Sequence, residues 1–426
     1  MTRCRVWAVW AVGMSAYLVG VMHRTSFGVA GLDAVERFHA TSAALSGFVV
    51  LQILVYAFLQ VPVGMMLDRF GARRMIVAGA LIMAAGQLLL ALSTSLPLAV
   101  AARVLVGAGD AFTFISVLTV VSAWFPPRRV PLMTQLTGLL GQFGQVLSAI
   151  PLAALLHGPG WTPAFVSAAA LGVAVAIAVI AVVRDRPAGA PAVAAAESPR
   201  EVLDGLRRSW LEPGTRLALW THMGTQFSAT VFMLLWGVPY LVAGHGMSTG
   251  AASSLLTIFV IAGAAAGPVM GELSGRRPER RVWLVISVIG LNALVWTAVL
   301  LTPAPAPYWL LVLLVVVLAF GGAASLVAFD FARTFNPRCR QGTAVGIANM
   351  GGFIAALLVA LAIGVVLDAI GAGYSAASFH LAWAIQYAVW ALTLAGIVLS
   401  WRKARRRSAE AAARPPLPAP TAVGHA

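Results

Sequence analysis

The chain contains twelve long apolar stretches, and each is close to the roughly 20 residues that a helix needs to cross a bilayer. Backbone polar groups cannot stay unpaired in lipid, and the stretches lack the alternation of barrel strands, so they must be helices. The predicted helices 1 to 12 comprise residues 6–29, 43–66, 75–94, 98–124, 132–156, 162–183, 216–242, 251–273, 282–301, 308–331, 343–368 and 379–400. The sequence therefore predicts an all-α integral membrane protein.

The charged residues of the chain are few and unevenly placed. They make up only 10% of the 426 residues, whereas soluble domains contain roughly 25%. The formal net charge of +15 could indicate a nucleic-acid partner, but almost all of the arginines lie in short turns between apolar stretches. Arginine in alternate turns marks the cytoplasmic side. We therefore expect a multi-pass protein of the cell membrane that has both termini in the cytoplasm and binds no nucleic acid.

Residues 184–215 separate the first six apolar stretches from the last six. They are rich in alanine and proline and then strongly charged, and Ser198-Pro199-Arg200-Glu201 is typical of a helix start. We expect a flexible cytoplasmic linker that leads into an amphipathic helix. The predicted domains are a six-helix bundle at 1–183, the linker at 184–215, a second six-helix bundle at 216–400 and a basic cytoplasmic tail at 401–426.

A weak internal repeat supports this division. Pro62-Val-Gly64-Met-Met-Leu-Asp68, after helix 2, recurs loosely as Pro268-Val-Met-Gly271-Glu-Leu-Ser-Gly275 after helix 8. Gly64 matches Gly271, but Gly275 stands where the first copy has its acidic residue. We therefore expect any charge latch built on this turn to be stronger in the first half.

The turn between helices 2 and 3 has the spacing G-x-x-x-D-R-x-G-x-R-R. This spacing resembles the signature loop of the major facilitator superfamily, and its residues are Gly64, Asp68, Arg69, Gly71, Arg73 and Arg74. In helix 4, the series Arg103, Gly107, Gly109 and Ala111 is similar to the R-x-x-x-G-x-G-x-A motif of that superfamily. The resemblance covers nearly the whole chain. It implies two pseudo-symmetric six-helix bundles, a monomer, and transport by alternating access in which the signature loop controls the conformation.

Ionisable residues inside the predicted helices are unfavourable and need a reason. Three are the main candidates for a site, two in the outer parts of their helices and the third deeper. They are Arg24 in helix 1, and Arg103 and Asp110 in helix 4. Arg103 and Asp110 are two helical turns apart and share a face that Gly107 leaves open. Guanidinium groups bind carboxylates or phosphates through two parallel hydrogen bonds. We therefore expect both arginines to bind an anion in a water-filled cavity, with Asp110 below them carrying a proton.

Structural roles are the alternative for these residues. Arg103 could pair with Asp110 or with backbone carbonyls and only stiffen helix 4. Arg24 could instead extend to the outer membrane surface.

A narrower resemblance concerns helix 1. The segment from Tyr17 to Ala30, with His23-Arg24-Thr25-Ser26 at its centre, resembles helix 1 of the anion:cation symporter family, whose usual pattern is D-R-x-n-x-x-x-A. That family carries sugar acids and other organic anions with protons or sodium. The resemblance implies that Arg24 and Arg103 bind the substrate and that Asp110 takes part in proton coupling. His23 stands where the family usually has aspartate, so an imidazole replaces one proton carrier.

Polar residues at helical spacing predict a lined cavity. Helix 5 has Gln135, Gly138, Gln142 and Gln145 on one face, and helix 2 has Gln52, Tyr56 and Gln60. The predicted substrate contacts are Tyr56, Gln142, Gln226 in helix 7 and Asn349 in helix 11, in addition to the two arginines. Interhelical hydrogen bonding is the alternative for any single Gln or Asn. We expect His222 to be a packed histidine, and Asp330 to be solvated or to cap a helix.

Together these features predict a secondary active transporter that moves a small organic anion with a proton. The alternative is a proton-coupled antiporter that exports a drug or metabolite, although helix 5 lacks the Gly-Pro pair of the drug:proton antiporter signature. The sequence contains no phosphate-binding P-loop and no His/Cys cluster with metal-ligand spacing. We therefore expect no ATP-driven transport, no metal, no cofactor and no enzymatic activity.

Overall fold

The computed structural model describes residues 3–39, 42–189, 198–371 and 375–413. Helices and turns account for these residues, and no strand occurs among them. Within these described ranges, twelve helices are long and apolar enough to cross a membrane, which confirms the predicted number. Helices 1 to 12 comprise Cys4–Val29, Val50–Phe70, Ala72–Leu92, Leu96–Trp124, Val130–His157, Trp161–Val182, Pro213–Gly244, Thr249–Arg276, Pro278–Leu301, Tyr308–Phe335, Arg338–Ile370 and Ala376–Glu410.

Helix 12 is longer than its apolar part requires. Its last helical segment, Gln386–Ala413, continues past residue 400 into the basic tail, so the prediction that this helix ends near residue 400 was wrong. Alanine, arginine, lysine and glutamate are strong helix formers, so the segment can remain helical without an apolar face. Residues 414–426 of the predicted tail, including Arg414, lie outside the described residues.

The two ends of the described chain lie on the same side of the helix bundle, because twelve crossings return the chain to the side on which it started. We call this side the terminal face and the other side the opposite face. The turns at the terminal face contain most of the loop arginines, among them Arg69, Arg73, Arg74, Arg128, Arg129, Arg276, Arg277, Arg280, Arg338 and Arg340.

Helices 1 to 6 pack together in one half of the molecule, and helices 7 to 12 pack together in the other. Helix 2 contacts helix 11, and helix 8 contacts helix 5, so equivalent helices of the two halves meet across the interface. Glycine permits both contacts. A Cβ on Gly64 would lie 2.5 Å from the carbonyl oxygen of Gly342, and one on Gly271 would lie 2.7 Å from the Cα of Leu132. The predicted pair of pseudo-symmetric six-helix bundles is confirmed.

A helix at Pro199–Leu211 lies on the terminal face. The hydroxyl of Ser198 caps its start by accepting a hydrogen bond of 3.3 Å from the N–H of Glu201. The helix contacts helix 2 of the first half and helices 7 and 11 of the second, so it covers the junction between the halves. Residues 190–197 of the predicted linker lie outside the described residues.

Asp68 of the signature loop joins the two halves at the terminal face. Its Oδ1 accepts a hydrogen bond from the N–H of Gly342 at 2.7 Å. Its Oδ2 accepts from the N–H and the hydroxyl of Thr343 at 2.7 and 2.6 Å. A carboxylate is favourable here because the first N–H groups of helix 11 have no partner within the helix. The loop itself turns at Gly71, whose φ of +83° favours glycine.

The second half has an acidic residue at the corresponding place, but helix 10 supplies it. Asp330 is only 5% exposed, and it accepts hydrogen bonds from Ser274 at 2.5 Å and from Arg333 at 2.7 Å. Arg333 also donates to the hydroxyl of Thr134 in helix 5 at 3.2 Å, which joins the halves a second time. The prediction that Asp330 is solvated or caps a helix was therefore wrong, because side chains from helices 8 and 10 enclose it.

At the opposite face, His245 fixes the turn that follows helix 7. It is buried, and its Nδ1 accepts a hydrogen bond of 3.1 Å from the N–H of Ala306 in the turn before helix 10. This bond requires a neutral imidazole, because a protonated Nδ1 would be a donor. Burial, and secondly the nearby imidazole of His380, lowers the pKa of His245 to about 4.

Acidification should therefore destabilise the protein through His245. Between its ordinary pKa and about 4, the unfolded chain takes up a proton that the folded protein does not, so stability falls as the pH falls through this range. In His245→Asn, the amide oxygen can accept from Ala306 without titrating. We expect the wild type to lose a few degrees more of melting temperature than His245→Asn between pH 7.5 and pH 5. Equal losses in the two proteins would contradict this account.

Candidate functional site

Arg24 and Asp110 form a bidentate salt bridge between helix 1 and helix 4. Nε of Arg24 lies 2.6 Å from Oδ2 of Asp110, and Nη2 of Arg24 lies 2.9 Å from Oδ1. The Asp110 side chain is 1% exposed, whereas the Arg24 side chain is 26% exposed. The two parallel hydrogen bonds are the strong, charge-assisted kind. Arg24 is therefore the member of the pair that a molecule from outside can reach.

The surroundings of Arg24 show from which side it can be reached. Its guanidinium lies 5.2 Å from the ring centre of Tyr56 in helix 2, so it faces the interior of the bundle rather than lipid. The Asp68 and Arg333 contacts hold the halves together at the terminal face. A molecule would therefore have to approach the exposed part of Arg24 from the opposite face. This position agrees with the predicted charged site inside the bundle. It does not agree with the alternative, in which Arg24 extends to the membrane surface.

Arg103, unlike Arg24, has almost no exposed surface. It is 1% exposed, and its guanidinium lies 5.2 Å from the ring centre of Phe27. Its Nη2 donates to the carbonyl oxygen of Arg24 at 2.9 Å and to Oε1 of Gln52. The prediction that both guanidiniums point into the cavity was therefore wrong. The structure instead shows the alternative in which Arg103 binds backbone carbonyls, and the bond to Arg24 holds helix 1 against helix 4.

Gly107 explains why Arg103 is enclosed. We expected this glycine to leave one face of helix 4 open, but a Cβ at Gly107 would lie 2.8 Å from the carbonyl oxygen of Gln52. The backbone of helix 2 therefore fills the space. This close approach is what brings the Gln52 side chain to Arg103.

His23 also lies away from the Arg24–Asp110 pair. It is fully buried, and its Nε2 lies 3.0 Å from the carbonyl oxygen of Ala168 in helix 6, to which it donates as the neutral imidazole. A Cβ on Gly172 would lie 3.0 Å from Cε1 of His23, so helix 6 packs closely against the ring. The ring is enclosed within the first half, and the role of His23 as a proton carrier stays a prediction.

Tyr56 and Asn349 connect the pair to the second half. Nδ2 of Asn349 in helix 11 donates to the hydroxyl of Tyr56 at 3.1 Å and to Oε1 of Gln60 at 2.8 Å. Because Arg24 stacks on the Tyr56 ring, the contacts run from Asp110 through Arg24 and Tyr56 to helix 11. Of the predicted substrate contacts, Tyr56 is brought next to the salt bridge, and Asn349 is connected to it through Tyr56.

Gln142 and Gln226 are not brought there. Gln142 is exposed and accepts a hydrogen bond of 2.5 Å from Gln145, and Gln226 is partly buried in helix 7. Within the described part of the chain, neither is hydrogen-bonded to Arg24 or Asp110, so their contacts with a substrate stay predictions. Gln135 of the helix 5 stripe donates to the carbonyl oxygen of Ala323 at 2.8 Å, and this bond joins the halves rather than lining a cavity.

Sequence reasoning missed two buried residues near the site. Gln87 of helix 3 donates to the carbonyl oxygen of His23 at 3.2 Å and to the hydroxyl of Ser26 at 3.0 Å. Tyr17 lies close enough to Arg24 to interact with it electrostatically. Tyr17 could have been found from its spacing, since it precedes Arg24 by two helical turns. For Gln87, the only indication in the sequence is that it is a polar residue in the apolar helix 3.

The site is suited to binding an anion. It contains two arginines and one aspartate, and the Arg103 hydrogen bonds that we describe go to uncharged oxygens, so positive charge is in excess. A carboxylate entering from the opposite face would meet the donor groups that Asp110 now occupies. Among the described residues, no group of three or more His, Cys, Asp or Glu side chains could hold a metal ion.

Comparisons with known proteins agree with the fold. The probable galactarate/D-glucarate transporter GudP of Escherichia coli (strain K12) is 23% identical over 370 residues, which cover 80% of this chain and 80% of GudP. The uncharacterized transporter YybO of Bacillus subtilis (strain 168) is 26% identical over 167 residues, so the match spans only 39% of this chain and 38% of YybO.

A solved structure and a family profile extend the comparison to nearly the whole chain. The structure is a bacterial homolog of the human lysosomal transporter Spinster, in an inward-facing and unoccupied conformation. It has a TM-score of 0.60 and 18% identity, and the match covers 95% of this chain and 99% of that one. The profile of the Major Facilitator Superfamily matches residues 11–360 and 221–423. The chain therefore belongs to the Major Facilitator Superfamily of membrane transporters.

Proposed function

We propose that this protein is a secondary active transporter that carries a small organic anion across the cell membrane together with a proton. The observation that carries the proposal is the bidentate Arg24–Asp110 salt bridge. It joins Arg24, which would bind the anion, to Asp110, which would bind the proton. Its exposed member, Arg24, is also the one that a substrate would meet first.

Competition for Arg24 would couple the two ligands. A substrate carboxylate needs the same N–H donors of Arg24 that Asp110 now occupies. A proton on Asp110 would remove its negative charge and weaken its hold on the guanidinium, which would then be free for the substrate. The anion and the proton would thus each favour the binding of the other, and this coupling is reciprocal. Symport requires this favourable coupling between the two ligands, whereas an antiporter needs each ligand to exclude the other.

The charge of the site favours carboxylates over neutral or cationic molecules. With Asp110 ionised the site has one positive charge in excess, and with Asp110 protonated it has two. The relative GudP, whose name refers to galactarate and D-glucarate, supports sugar acids as the first class to test. Tyr56 and Asn349 would bind hydroxyl groups of such a substrate, and Gln142 and Gln226 would do so if the halves move toward each other.

Transport would proceed by alternating access. We propose that the terminal face is cytoplasmic, because it contains the loop arginines. In the present conformation the halves are joined at that face, so substrate would enter from outside. Release would require the contacts of helix 2 with helix 11, and of helix 5 with helix 8, to separate.

Uptake into proteoliposomes tests the proposal. With an acidic exterior, the wild type should accumulate radiolabelled galactarate or D-glucarate. Asp110→Asn should lose this accumulation by about tenfold or more, yet exchange labelled for unlabelled substrate, because the amide imitates a protonated carboxyl. The control Asp33→Asn changes a more exposed acid at the opposite face and should stay within about twofold of the wild type.

Two outcomes would contradict the proposal. Accumulation driven by the pH gradient in Asp110→Asn would remove the coupling role of this residue. Failure of the wild type to carry any member of a panel of organic acids would remove the anion site.

A further inference from the structure

A cluster of exposed arginines lies at one edge of the terminal face, on the outside of the second half. Arg277 and Arg280 come from the turn before helix 9, and Arg402, Arg405 and Arg406 come from the charged end of helix 12. All five are exposed. We call these five residues the basic edge.

Two tryptophans bring the two segments together. The rings of Trp283 in helix 9 and Trp401 in helix 12 meet edge to face, with their centres 5.6 Å apart. Arg280 precedes Trp283 by three residues, and Arg405 follows Trp401 by four, so each arginine lies on the same helix face as its tryptophan. The guanidinium of Arg405 lies 5.3 Å from the Trp401 ring. Arginines from separate parts of the chain therefore converge beside one aromatic pair.

The orientation of helix 12 shows which of its cations face outward. Ala404 is buried, and Arg407 forms an ion pair of 3.2 Å with Glu212, so these two residues mark the side that faces the protein. Arg402, Arg405 and Arg406 lie on the other side of the helix. They therefore face the lipid and solvent around the second half.

The described part of the chain does not neutralise the charges of the basic edge. Among the described residues, none of the five arginines forms an ion pair, whereas the neighbouring Arg276 is paired with Glu272. Glu279 and Glu410 are exposed beside the cluster and leave it with positive charge in excess. Exposed arginines with charge in excess can bind an anion from outside the protein.

The tryptophans point to the identity of that anion. Trp283 is 56% exposed and lies where helix 9 enters the membrane, and tryptophan prefers the level of the lipid headgroups. Cations beside such a position meet lipid phosphates, and basic clusters next to transmembrane helices bind anionic headgroups. A soluble anion would make no use of an exposed indole at the membrane boundary.

We propose that the basic edge is a binding site for an anionic phospholipid, with the headgroup phosphate held by arginines of both segments and the acyl chains lying along helices 9 and 12. This site is separate from the Arg24–Asp110 pair, so it stands or falls independently of the proposed transport function.

Lipid titration followed by native mass spectrometry tests the proposal on the full chain in detergent. The probes are phosphatidylglycerol, which is anionic, and phosphatidylcholine, which is zwitterionic. We expect the wild type to prefer phosphatidylglycerol. Arg402→Gln/Arg406→Gln should weaken phosphatidylglycerol binding by about tenfold or more and leave phosphatidylcholine binding unchanged. The matched control Arg128→Gln/Arg129→Gln removes two exposed arginines at the terminal face of the first half and should change phosphatidylglycerol binding by less than about twofold.

A second double variant and a competition experiment complete the test. Arg277→Gln/Arg280→Gln should reproduce the loss from the other segment, and unchanged phosphatidylcholine binding confirms that each variant is folded. Glycerol 3-phosphate at the same concentration should not displace phosphatidylglycerol, and displacement would indicate a site for a soluble phosphate instead. Equal losses in the test and control variants, or no preference for phosphatidylglycerol in the wild type, would overturn the proposal.

Discussion

Replacing Arg24 with glutamine should weaken organic-acid binding by about 100-fold or more, because each hydrogen bond to a charged group contributes about 1.5–3 kcal/mol. Two such bonds would be made to the substrate carboxylate. The same change should destabilise the protein by about 3–5 kcal/mol, because it leaves a buried carboxylate without its partner. Asp110 is only 1% exposed and cannot regain water in exchange. Calorimetric titration with galactarate and thermal denaturation measure the two effects.

A double variant separates these effects. In Arg24→Gln/Asp110→Asn both charges of the salt bridge are removed, so no carboxylate is left buried without its partner. Stability should therefore return most of the way to the wild-type value while binding stays lost. Arg37→Gln is the matched control, since Arg37 binds the carbonyl oxygen of Ser93 at the opposite face and should leave the affinity within about twofold. Normal organic-acid binding in the double variant would show that Arg24 is no part of the substrate site.

Adding one methyl group at Gly346 should open the terminal face. A Cβ there would lie 2.2 Å from the carbonyl oxygen of Gln60, and a backbone oxygen cannot move aside without shifting helix 2. The contacts of Asp68 with Gly342 and Thr343 lie about one helical turn away. They should therefore be lost when helix 2 shifts. We expect Gly346→Ala to reduce transport by about tenfold or more, since mutations of this kind cost about 1–3 kcal/mol of packing in the closed state.

Spin labels can measure this opening. Labels at Pro127→Cys and Arg338→Cys, with Cys4 and Cys339 replaced by serine, lie on turns of the two halves at the terminal face. Their distance distribution should lengthen in Gly346→Ala. Gly290→Ala is the matched control, since a Cβ at Gly290 meets nothing within 4 Å. Unchanged distances and transport in Gly346→Ala would contradict the idea that this close contact holds the face shut.

The fold could be predicted almost completely from the sequence. The length of each apolar stretch is set by the thickness of the bilayer, and the glycines mark where helices approach. The end of helix 12 could not be predicted, because a basic segment beyond the membrane can be helical or irregular with the same composition. The acidic residue at the junction of the second half was not predicted either. Asp330 comes from helix 10, and no spacing within helix 8 could reveal it.

It was easier to predict which residues come together near the salt bridge than to predict which of them contact each other. Spacing along helix 4 placed Arg103 and Asp110 on one face, but which arginine pairs with Asp110 depends on how helices 1 and 4 are rotated. Arg24 takes that position, and Arg103 binds the carbonyl oxygen of Arg24 instead. His23 illustrates the same limit, since neighbouring residues on a helix point about 100° apart. Arg24 therefore faces Asp110, while His23 faces helix 6.

We expect a proton on Asp110 to free Arg24 for a substrate carboxylate. The most direct test is the affinity of the wild-type protein for D-glucarate and galactarate, measured by calorimetry from pH 8 to pH 6. These acids stay ionised over this range, so a change in affinity reports on the protein. The account predicts that affinity rises by up to about tenfold for each unit of decrease in pH, because one proton is taken up with each anion. An affinity that does not vary with pH, or no binding of either acid, would contradict it.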